Sequence, residues 1–364
     1  MTSRRGIRAS AVVVALAAMI AASSAIGYPT ASAASTRVDQ GGTIDWLDLA
    51  MDIASPMRPV IDALDGDQAL DRGTDGRLTF FIMGSDARGA AVARTDSMMI
   101  ISVKGSTITA ASLPRDTGRV PRPPSMGGGT FSGKANGILR QLMNGTSLDG
   151  ALAKFELVIE YIAQIEVDYH ALVWFDGFTT LVGKVDPITV NIDREIRDPK
   201  HIDDQDGPAG VYFPKWNGFA LNAFNTGSNP YCNGAYKTDP APINSVNYCR
   251  RALPYVRSRK GDGNSDWVRS RRQQEFVAAT IKAVGQSELS GLVSTAQSEG
   301  MGKWWTNYPI NATSAMDLYN ALHNASLGEH VVWKPSIFAG RISGTSAYEL
   351  KLTAIRQWAA QHLK

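Results

Sequence analysis

Residues 255–276 read YVRSRKGDGNSDWVRSRRQQEF and contain a concentrated group of arginines. Together with Arg250 and Arg251, the chain has eight basic and two acidic residues between positions 250 and 272, a local excess of +6. The whole chain of 364 residues has a formal net charge of only +3. The positive charge is therefore gathered in one region, which indicates either an anion-binding site or a solvated basic helix.

The spacing within this stretch predicts a short extended segment followed by a helix. Arg257 and Arg259 are two positions apart, which would place both guanidinium groups on one side of an extended chain. Residues 260–263 indicate a turn, and Asp266 is the predicted N-cap of a helix that continues through Ala278. The residues of this helix that share a face are Arg269, Arg272, Gln273 and Phe276. Because guanidinium groups form forked contacts with phosphate oxygens, the two elements could bind one anion between them.

Residues 1–33 have the pattern of an export signal. A basic flank with Arg4, Arg5 and Arg8 precedes an apolar run, and the small residues 31–33 follow it. The apolar run is nearly long enough to span a bilayer, so a cleaved signal peptide and a retained signal anchor both remain open. Either outcome predicts an extracytoplasmic protein of the cell envelope. Without these residues the chain is close to neutral, which argues against a nucleic-acid-binding surface.

The two cysteines, Cys232 and Cys249, are seventeen positions apart. In an exported protein this spacing predicts a disulfide that closes a surface loop. The chain-entropy estimate gives such a bond a contribution of about 3 kcal/mol. A metal site built on the cysteines is not indicated, because the five histidines are scattered.

The hydrophobic pattern predicts an α/β domain over residues 77–285. Residues 34–76 are polar and acidic, and they are interpreted as a linker with a peripheral helix. Continuous apolar runs predict buried strands, and helical spacing predicts a helix over 151–165. The predicted strands are Leu78–Met83, Ser97–Val103, Thr107–Leu113, Tyr169–Phe175 and Ile188–Ile192. A short helix is predicted over 178–182, and residues 286–364 are predicted to form a helical extension packed on the domain.

Residues 193–250 form a long excursion rich in Asp, Pro, Gly and Asn. Its interspersed aromatic residues are Tyr212, Phe213, Trp216, Phe219 and Phe224. They are interpreted either as a small satellite core or as the lining of a groove for an apolar ligand.

Charged side chains are found at the ends of the first three predicted strands. Asp86 follows the first strand, Arg94 and Asp96 precede the second, and Arg115 follows the third. Strand ends are where ligands bind in open α/β sheets. If Asp86 and Asp96 approach each other, a divalent cation would relieve their repulsion, and oxygen ligands suit Mg²⁺, with Mn²⁺ as an alternative. The simpler alternative is that each carboxylate caps a turn or pairs with a nearby arginine.

The segment Gly128–Lys134 imitates a phosphate-binding P-loop, but we reject that interpretation. Ala135 stands where Mg²⁺ binding requires Ser or Thr, and Arg-Pro-Pro is a poor lead-in strand. A flexible loop that leads into a helix is the predicted structure.

Six ordered motifs together resemble the LytR-CpsA-Psr family of extracytoplasmic cell-wall glycopolymer ligases. The motifs are Gly84-Ser-Asp86-x-Arg88, Arg94-Thr-Asp96, Leu113-Pro-Arg115-Asp116, Lys134-x-Asn136, Tyr255-Val-Arg-Ser-Arg-Lys-Gly-Asp-Gly and Arg269-x-x-Arg272-Gln273-Gln274. The resemblance implies transfer of a glycopolymer from a polyprenyl-pyrophosphate carrier to peptidoglycan. The polymer of such proteins is teichoic acid, capsule or arabinogalactan. The family fold is an α–β–α sandwich whose sheet and helices enclose a tunnel for the prenyl tail.

The resemblance also implies roles for individual residues. Asp86 and Asp96 correspond to Mg²⁺ ligands, and Asp86, Asp96 and Arg115 are the implied catalytic residues. The implied pyrophosphate-binding set is Arg94, Arg115, Arg257, Arg259, Arg269 and Gln273. The expected partners are the lipid-linked polymer, peptidoglycan and the membrane surface, without nucleic acid. Ala135 and the 193–250 excursion depart from the family pattern.

Pyrophosphate must be neutralised before a hydroxyl can attack phosphorus, and arginines with Mg²⁺ provide that neutralisation. We expect Asp96 or a neighbouring group to assist deprotonation of the incoming sugar hydroxyl. The alternatives are a non-catalytic lipid-phosphate-binding protein and a pyrophosphatase that uses water as the acceptor.

Overall fold

The computed structural model describes most of the chain after residue 74. The described residues are 75–85, 94–185, 187–198, 201–203, 207–208, 211–223, 249, 251–260, 265–298, 303–309 and 312–364. The predicted export signal, most of the linker, Asp86, Phe224 and Cys232 lie outside them. Among the described helices, none is both long enough and apolar enough to cross a membrane.

A six-stranded mixed sheet forms the centre of the domain. Its strands are β1 (Leu78–Ser85), β2 (Thr95–Lys104), β3 (Thr107–Ser112), β4 (Tyr169–Trp174), β11 (Trp304–Thr306) and β12 (Ser326–Val332). Their order across the sheet is β11-β4-β1-β2-β3-β12. The pairs β1–β2, β2–β3 and β4–β11 are antiparallel, whereas β1–β4 and β3–β12 are parallel. The strands predicted from continuous apolar runs are confirmed, because those residues are buried on both faces of the sheet.

Alternate residues of β1 enter two separate cores. Phe80 and Ile82 belong to one cluster, and Phe81 and Met83 belong to the other, as the two-residue period of a strand requires. Helices cover both faces, so the predicted α–β–α sandwich is confirmed. The prenyl tunnel stays a prediction.

The helices divide between the two faces of the sheet. They are α1 (Ile138–Leu142), α2 (Leu148–Ala163), α3 (Phe175–Val182), α4 (Ala252–Arg257), α5 (Asp266–Ala283), α6 (Gln286–Ser298), α7 (Ala312–Leu322) and α8 (Leu352–His362). The first face is covered by α3, α4 and α5 through residues such as Phe178, Tyr255 and Phe276. The second face is covered by α2 and α8 through Phe155 and Ile355.

Short strands that pair two by two occupy the polar excursion and the segment just before it. They are β5 (Ile188–Ile192), β6 (Ile196–Asp198), β7 (Ile202–Asp203), β8 (Gly207–Pro208), β9 (Val211–Phe213) and β10 (Trp216–Leu221). Tyr212, Phe213 and Phe219 are buried in the first-face core, whereas Trp216 is 49% exposed. Three of the excursion's aromatic residues therefore extend the main core. Cys249 is also buried there, but its predicted bond to Cys232 stays a prediction.

The predicted extended segment around Arg257 is wrong, because residues 252–257 form the helix α4. Pro254 lies in the first turn of α4, where a missing N–H costs no helical hydrogen bond. The predicted N-cap of the next helix is shifted by one residue. Ser265 is the cap, since its side chain accepts a hydrogen bond from the backbone N–H of Val268, and Asp266 is the first helical residue.

The segment after residue 285 contributes strands as well as helices. Both edge strands of the central sheet, β11 and β12, come from it, and β13 (Ala339–Arg341) pairs with β14 (Tyr348–Leu350) beyond them. This part differs from the predicted helical extension, because its strands complete the sheet.

Candidate functional site

The site lies at one end of the central sheet. Asp96 is the second residue of β2, and Arg115 follows the last residue of β3 by three positions. Because β2 and β3 are antiparallel neighbours, with Met99 opposite Ser112, the start of β2 and the end of β3 meet at the same sheet end. Arg94 directly precedes β2 and has an exposed side chain.

Asp96 is buried and forms an ion pair with Arg115. Nη1 of Arg115 donates to Oδ2 of Asp96, and Nδ2 of Asn136 donates to Oδ1 at 3.2 Å. The Arg115 side chain is 15% exposed, whereas that of Asp96 is 2% exposed. No partner for Nε of Arg115 occurs among the described residues. Asp96 therefore fixes one end of the Arg115 guanidinium while part of it stays accessible.

Helix α5 brings a second arginine, Arg269, to the backbone of Asp96. Nη2 of Arg269 donates to the backbone oxygen of Asp96 at 3.3 Å, and Nη1 of Arg269 lies 3.2 Å from Oδ1 of Asp266. Nη1 of Arg259 lies 3.7 Å from the same Asp266 oxygen. Arg115, Arg259 and Arg269 are thus connected through Asp96 and Asp266. We call these five residues the arginine network.

The network has a surplus of positive charge. Burial lowers the pKa of Arg269 to about 10; the nearby Asp266 and Asp96 oppose this shift, and the nearby Arg115 and Arg259 add to it. A pKa of about 10 still leaves Arg269 charged at neutral pH. Three guanidinium groups therefore face two carboxylates, a balance that favours binding of an anion.

A second pair of arginines is buried behind the network. The guanidinium carbon of Arg257 lies 4.4 Å from the centroid of the Phe175 ring, and that of Arg272 lies 5.5 Å from the Tyr255 ring. Nη2 of Arg272 also donates to the backbone oxygen of Ser258. Burial lowers the pKa of Arg272 to about 10. Contacts with aromatic faces stabilise such buried cations.

Gln273 connects helix α5 to strand β2 and to helix α4. Its Oε1 accepts from the hydroxyl of Ser97 at 3.1 Å, and its Nε2 donates to the backbone oxygen of Val256 at 3.1 Å. Gln273 is 1% exposed. Its amide groups are engaged within the protein, so it orders the site rather than presenting free donors to a ligand.

Sequence reasoning missed two residues of the excursion that contact this region. Oδ2 of Asp198 accepts hydrogen bonds from Oγ of Ser258 at 3.1 Å and from the backbone N–H groups of Arg259 and Lys260, both at 2.9 Å. His201 is buried near three arginines, and burial first, then Arg257, Arg251 and Arg272, lowers its pKa to about 3. A single Asp and a single His in a polar excursion give no sequence signal for either role. Asn136 appeared in a family motif, but without a predicted contact.

Of the two predicted metal ligands, Asp96 lies within the described residues and Asp86 lies outside them. Each oxygen of Asp96 already accepts one hydrogen bond, and a carboxylate oxygen can accept a further contact. A carboxylate at this position suits Mg²⁺. Among the described residues, no group of three or more His, Cys, Asp or Glu side chains could hold a metal ion. The Mg²⁺ site stays a prediction. In the structure Asp96 pairs with Arg115, which agrees with the alternative of an arginine partner.

A sequence model of the LytR_cpsA_psr family matches residues 55–334, more than half of the chain. The chain belongs to the LytR_cpsA_psr family. This confirms the resemblance drawn from the motifs, and the match continues beyond residue 285 to include both edge strands.

Relatives with assigned names are teichoic acid transferases. The polyisoprenyl-teichoic acid–peptidoglycan teichoic acid transferase TagV of Bacillus subtilis (strain 168) is 25% identical over 190 residues, which is 52% of this chain and 38% of TagV. The transferase TagU of Halalkalibacterium halodurans is 25% identical over 261 residues, 66% of this chain and 68% of TagU. The alignment with TagV therefore spans less than half of that relative's length.

Solved structures show the same fold. The crystal structure of B. subtilis TagV matches with a TM-score of 0.52 and 19% sequence identity, and the match covers 79% of this chain and 97% of that chain. At this identity the likeness extends to the fold alone. It agrees with the mixed sheet flanked by helices on both faces.

Proposed function

We propose that this chain is an extracytoplasmic phosphotransferase that moves a glycopolymer from a polyprenyl-pyrophosphate carrier to peptidoglycan at the membrane surface. The named relatives are polyisoprenyl-teichoic acid–peptidoglycan transferases. The observation that supports this most is the meeting of Arg115, which follows β3, with Arg259 and Arg269 of the 255–276 stretch. Such a set of cations matches the charge of a pyrophosphate.

The exposed parts of the network determine how the donor would bind. Arg115 and Arg259 are 15% and 27% exposed, whereas Arg269 is 1% exposed. Arg115 and Arg259 would therefore contact the phosphate oxygens directly, and Arg269 would add charge from behind. Arg94 and Arg257 complete the proposed set of cations. Gln273, expected from the resemblance to bind the pyrophosphate, would instead order the site through its bonds to Ser97 and Val256.

The proposed reaction joins the acceptor hydroxyl oxygen to the polymer-side phosphorus and breaks the bond from that phosphorus to the bridging oxygen. Polyprenyl phosphate leaves, and the hydroxyl proton passes to a base. Arg115 and Arg259 would stabilise the negative charge that develops on the phosphate oxygens. Mg²⁺, held by Asp86 and Asp96, would supply further neutralisation when bound.

Two roles are open to Asp96. Both of its oxygens accept hydrogen bonds, from Arg115 and from Asn136. This arrangement favours a carboxylate that orients Arg115 over one that takes the proton. Asp96→Asn separates the roles, since loss of an orienting charge weakens donor binding as well as transfer, whereas loss of a base slows transfer alone.

The proposal is tested with Arg115→Gln and Arg259→Gln, both at accessible positions. We expect each variant to lower transfer of labelled polymer from a polyprenyl-pyrophosphate donor to peptidoglycan by on the order of 100-fold. Arg140→Gln, an exposed arginine of α1, is the matched control and should transfer normally. Donor consumption that does not require peptidoglycan would instead indicate a pyrophosphatase, and donor binding without consumption would indicate a carrier-binding protein.

A further inference from the structure

A groove of about 530 Å³ lies beside helix α5, across that helix from the arginine network. It is bounded on one side by the first turns of α5 and on the other by the end of β12 and the segment after it. The volume is in the range of small-molecule sites. The residues used below are Trp267, Arg271, Lys334, Ile337 and Phe338.

The groove and the arginine network lie on opposite sides of the same helix. With 100° between successive residues, Arg269 and Gln273 point to one side of α5, whereas Trp267 and Arg271 point to the other. A helix with its side chains is about 10 Å across. The two surfaces are therefore close enough for one extended ligand to reach both around the helix N-terminus.

An aromatic pair connects the two surfaces. The ring of Trp267 lies edge-to-face on Tyr348, with centroids 5.4 Å apart. The backbone N–H of Tyr348 donates to the oxygen of Asp116 at 3.3 Å, directly after Arg115 in sequence. Trp267 in turn follows Asp266, a member of the network. Direct contacts therefore link the lining of the groove to the segment that contains Arg115.

The lining combines apolar and basic side chains. Phe338 is buried, while Ile337 is 56% exposed. The basic side chains that line the groove are Arg194, Arg271, His330 and Lys334, and none of the described lining residues is acidic. Glu275 beside the groove pairs with Nε of Arg271 at 2.8 Å and offsets part of this charge.

We propose that this groove binds the acceptor, a peptidoglycan glycan strand with carboxylate-bearing stems. The inference rests on the proposed function. A sugar ring offers an apolar face of C–H groups that suits the indole of Trp267 and the exposed side chain of Ile337. The carboxylates complement Arg271 and Lys334. A glycan a few sugars long would lie in the groove with one hydroxyl directed past Trp267 toward the arginine network.

The test measures binding of a soluble peptidoglycan tetrasaccharide with peptide stems to the full-length chain. We expect Trp267→Ala to raise its Kd at least tenfold, as is typical for an aromatic contact at the centre of a binding surface. Trp267→Phe keeps a ring against Tyr348 and should restore part of the affinity. Trp305→Ala, a 37% exposed tryptophan at the opposite edge of the sheet, is the matched control.

The charge requirement is tested separately. Arg271→Gln with Lys334→Gln should weaken binding of the anionic fragment but leave binding of an uncharged N-acetylglucosamine tetramer unchanged. Lys154→Gln, at an exposed position of α2, is the control. Unchanged binding of the anionic fragment in both the tryptophan and the charge variants would overturn the proposal. The proposal would also be overturned if these variants lost binding to anionic phospholipid vesicles but kept binding of the glycan fragment. That result would assign the groove to lipid.

Binding of the polyprenyl-pyrophosphate donor is measured in the same variants. Unchanged donor affinity together with weakened glycan binding supports the groove as an acceptor site. If wild-type protein neither binds nor consumes the donor, the proposed function fails, whereas the glycan measurements still decide whether the groove binds peptidoglycan.

Discussion

One carboxylate oxygen orders the segment that contains Arg259. Oδ2 of Asp198 accepts from the side chain of Ser258 and from the backbone N–H groups of Arg259 and Lys260. Asp198 is 1% exposed, so water does not compete for these contacts. The backbone position of Arg259, and hence its reach toward Asp266, depends on this residue.

Asp198→Ala should therefore weaken both stability and donor binding. Loss of an acceptor leaves three donors without their partner, which we expect to cost about 2 to 4 kcal/mol of unfolding free energy. Donor affinity should fall more than in Asp176→Ala, a substitution at an exposed aspartate of α3. Denaturant unfolding and donor titration check this, and wild-type donor affinity in Asp198→Ala would show that Asp198 does not position Arg259.

The sequence predicted the members of the arginine network better than their contacts. Strand ends grouped Asp96 with Arg115, and the family resemblance added Arg269 to them. Both a metal ion and a nearby arginine stayed open as partners of Asp96, because residue types alone do not decide between them. Asp198 and His201 were missed since they act through tertiary contacts from a segment that has no periodic pattern.

At the level of elements, burial on both faces made the central strands predictable. β1, β2 and β3 are continuous apolar runs, and such runs are typical of strands covered on both faces. The helix α4 was predicted as an extended segment because alternation over only a few residues does not separate strand from helix. The edge strand β12 has mostly exposed or half-buried residues, so its sequence lacks the apolar signal of the inner strands.

The contact between α3 and β11 depends on a glycine. A Cβ added to Gly177 would lie 2.2 Å from the backbone oxygen of Lys303 and 3.1 Å from the ring of Trp304. That oxygen also accepts from the N–H of Trp174 at 2.9 Å, so it cannot shift without loss of a hydrogen bond. Only a residue without a side chain allows the helix to approach the edge strand this closely.

Gly177→Ala should lower the unfolding free energy by about 1 to 3 kcal/mol, the range for overpacked sites. Gly291→Ala in α6 is the control, because an added Cβ there has no neighbour within 4 Å and Ala favours a helix over Gly. Thermal unfolding of the two variants checks the difference. Equal melting temperatures for both would contradict the close approach of α3 and β11.

At the level of the whole molecule, the two faces of the sheet have separate roles. The first face contains the arginine-bearing helices α4 and α5, whereas the second face is a core formed with α2 and α8. The site lies where strands shared by both cores end. Packing in the second core therefore helps to hold in place the strand ends from which Asp96 and Arg115 extend.

The family match ends at residue 334, yet the last helix packs into the second core. Ile355, Ala359 and Leu363 are at most 1% exposed. Nη2 of Arg356 donates to the backbone oxygen of Tyr161 at 3.0 Å, at the end of α2. Helix α8 thus covers α2 and satisfies one of its last carbonyl groups.

Deletion of residues 352–364 should destabilise the whole domain rather than release an independent tail. Burial of each large apolar side chain contributes about 2 kcal/mol, so loss of α8 should remove on the order of 5 kcal/mol from a domain whose total stability is typically about 5 to 15 kcal/mol. Arg356→Gln, which removes only the contact with α2, should cost about 1 kcal/mol. Denaturant unfolding of the wild type, the truncated chain and Arg356→Gln measures the two losses of stability. A truncated chain that unfolds at the wild-type denaturant concentration would show that the segment beyond the family match is dispensable for the second core.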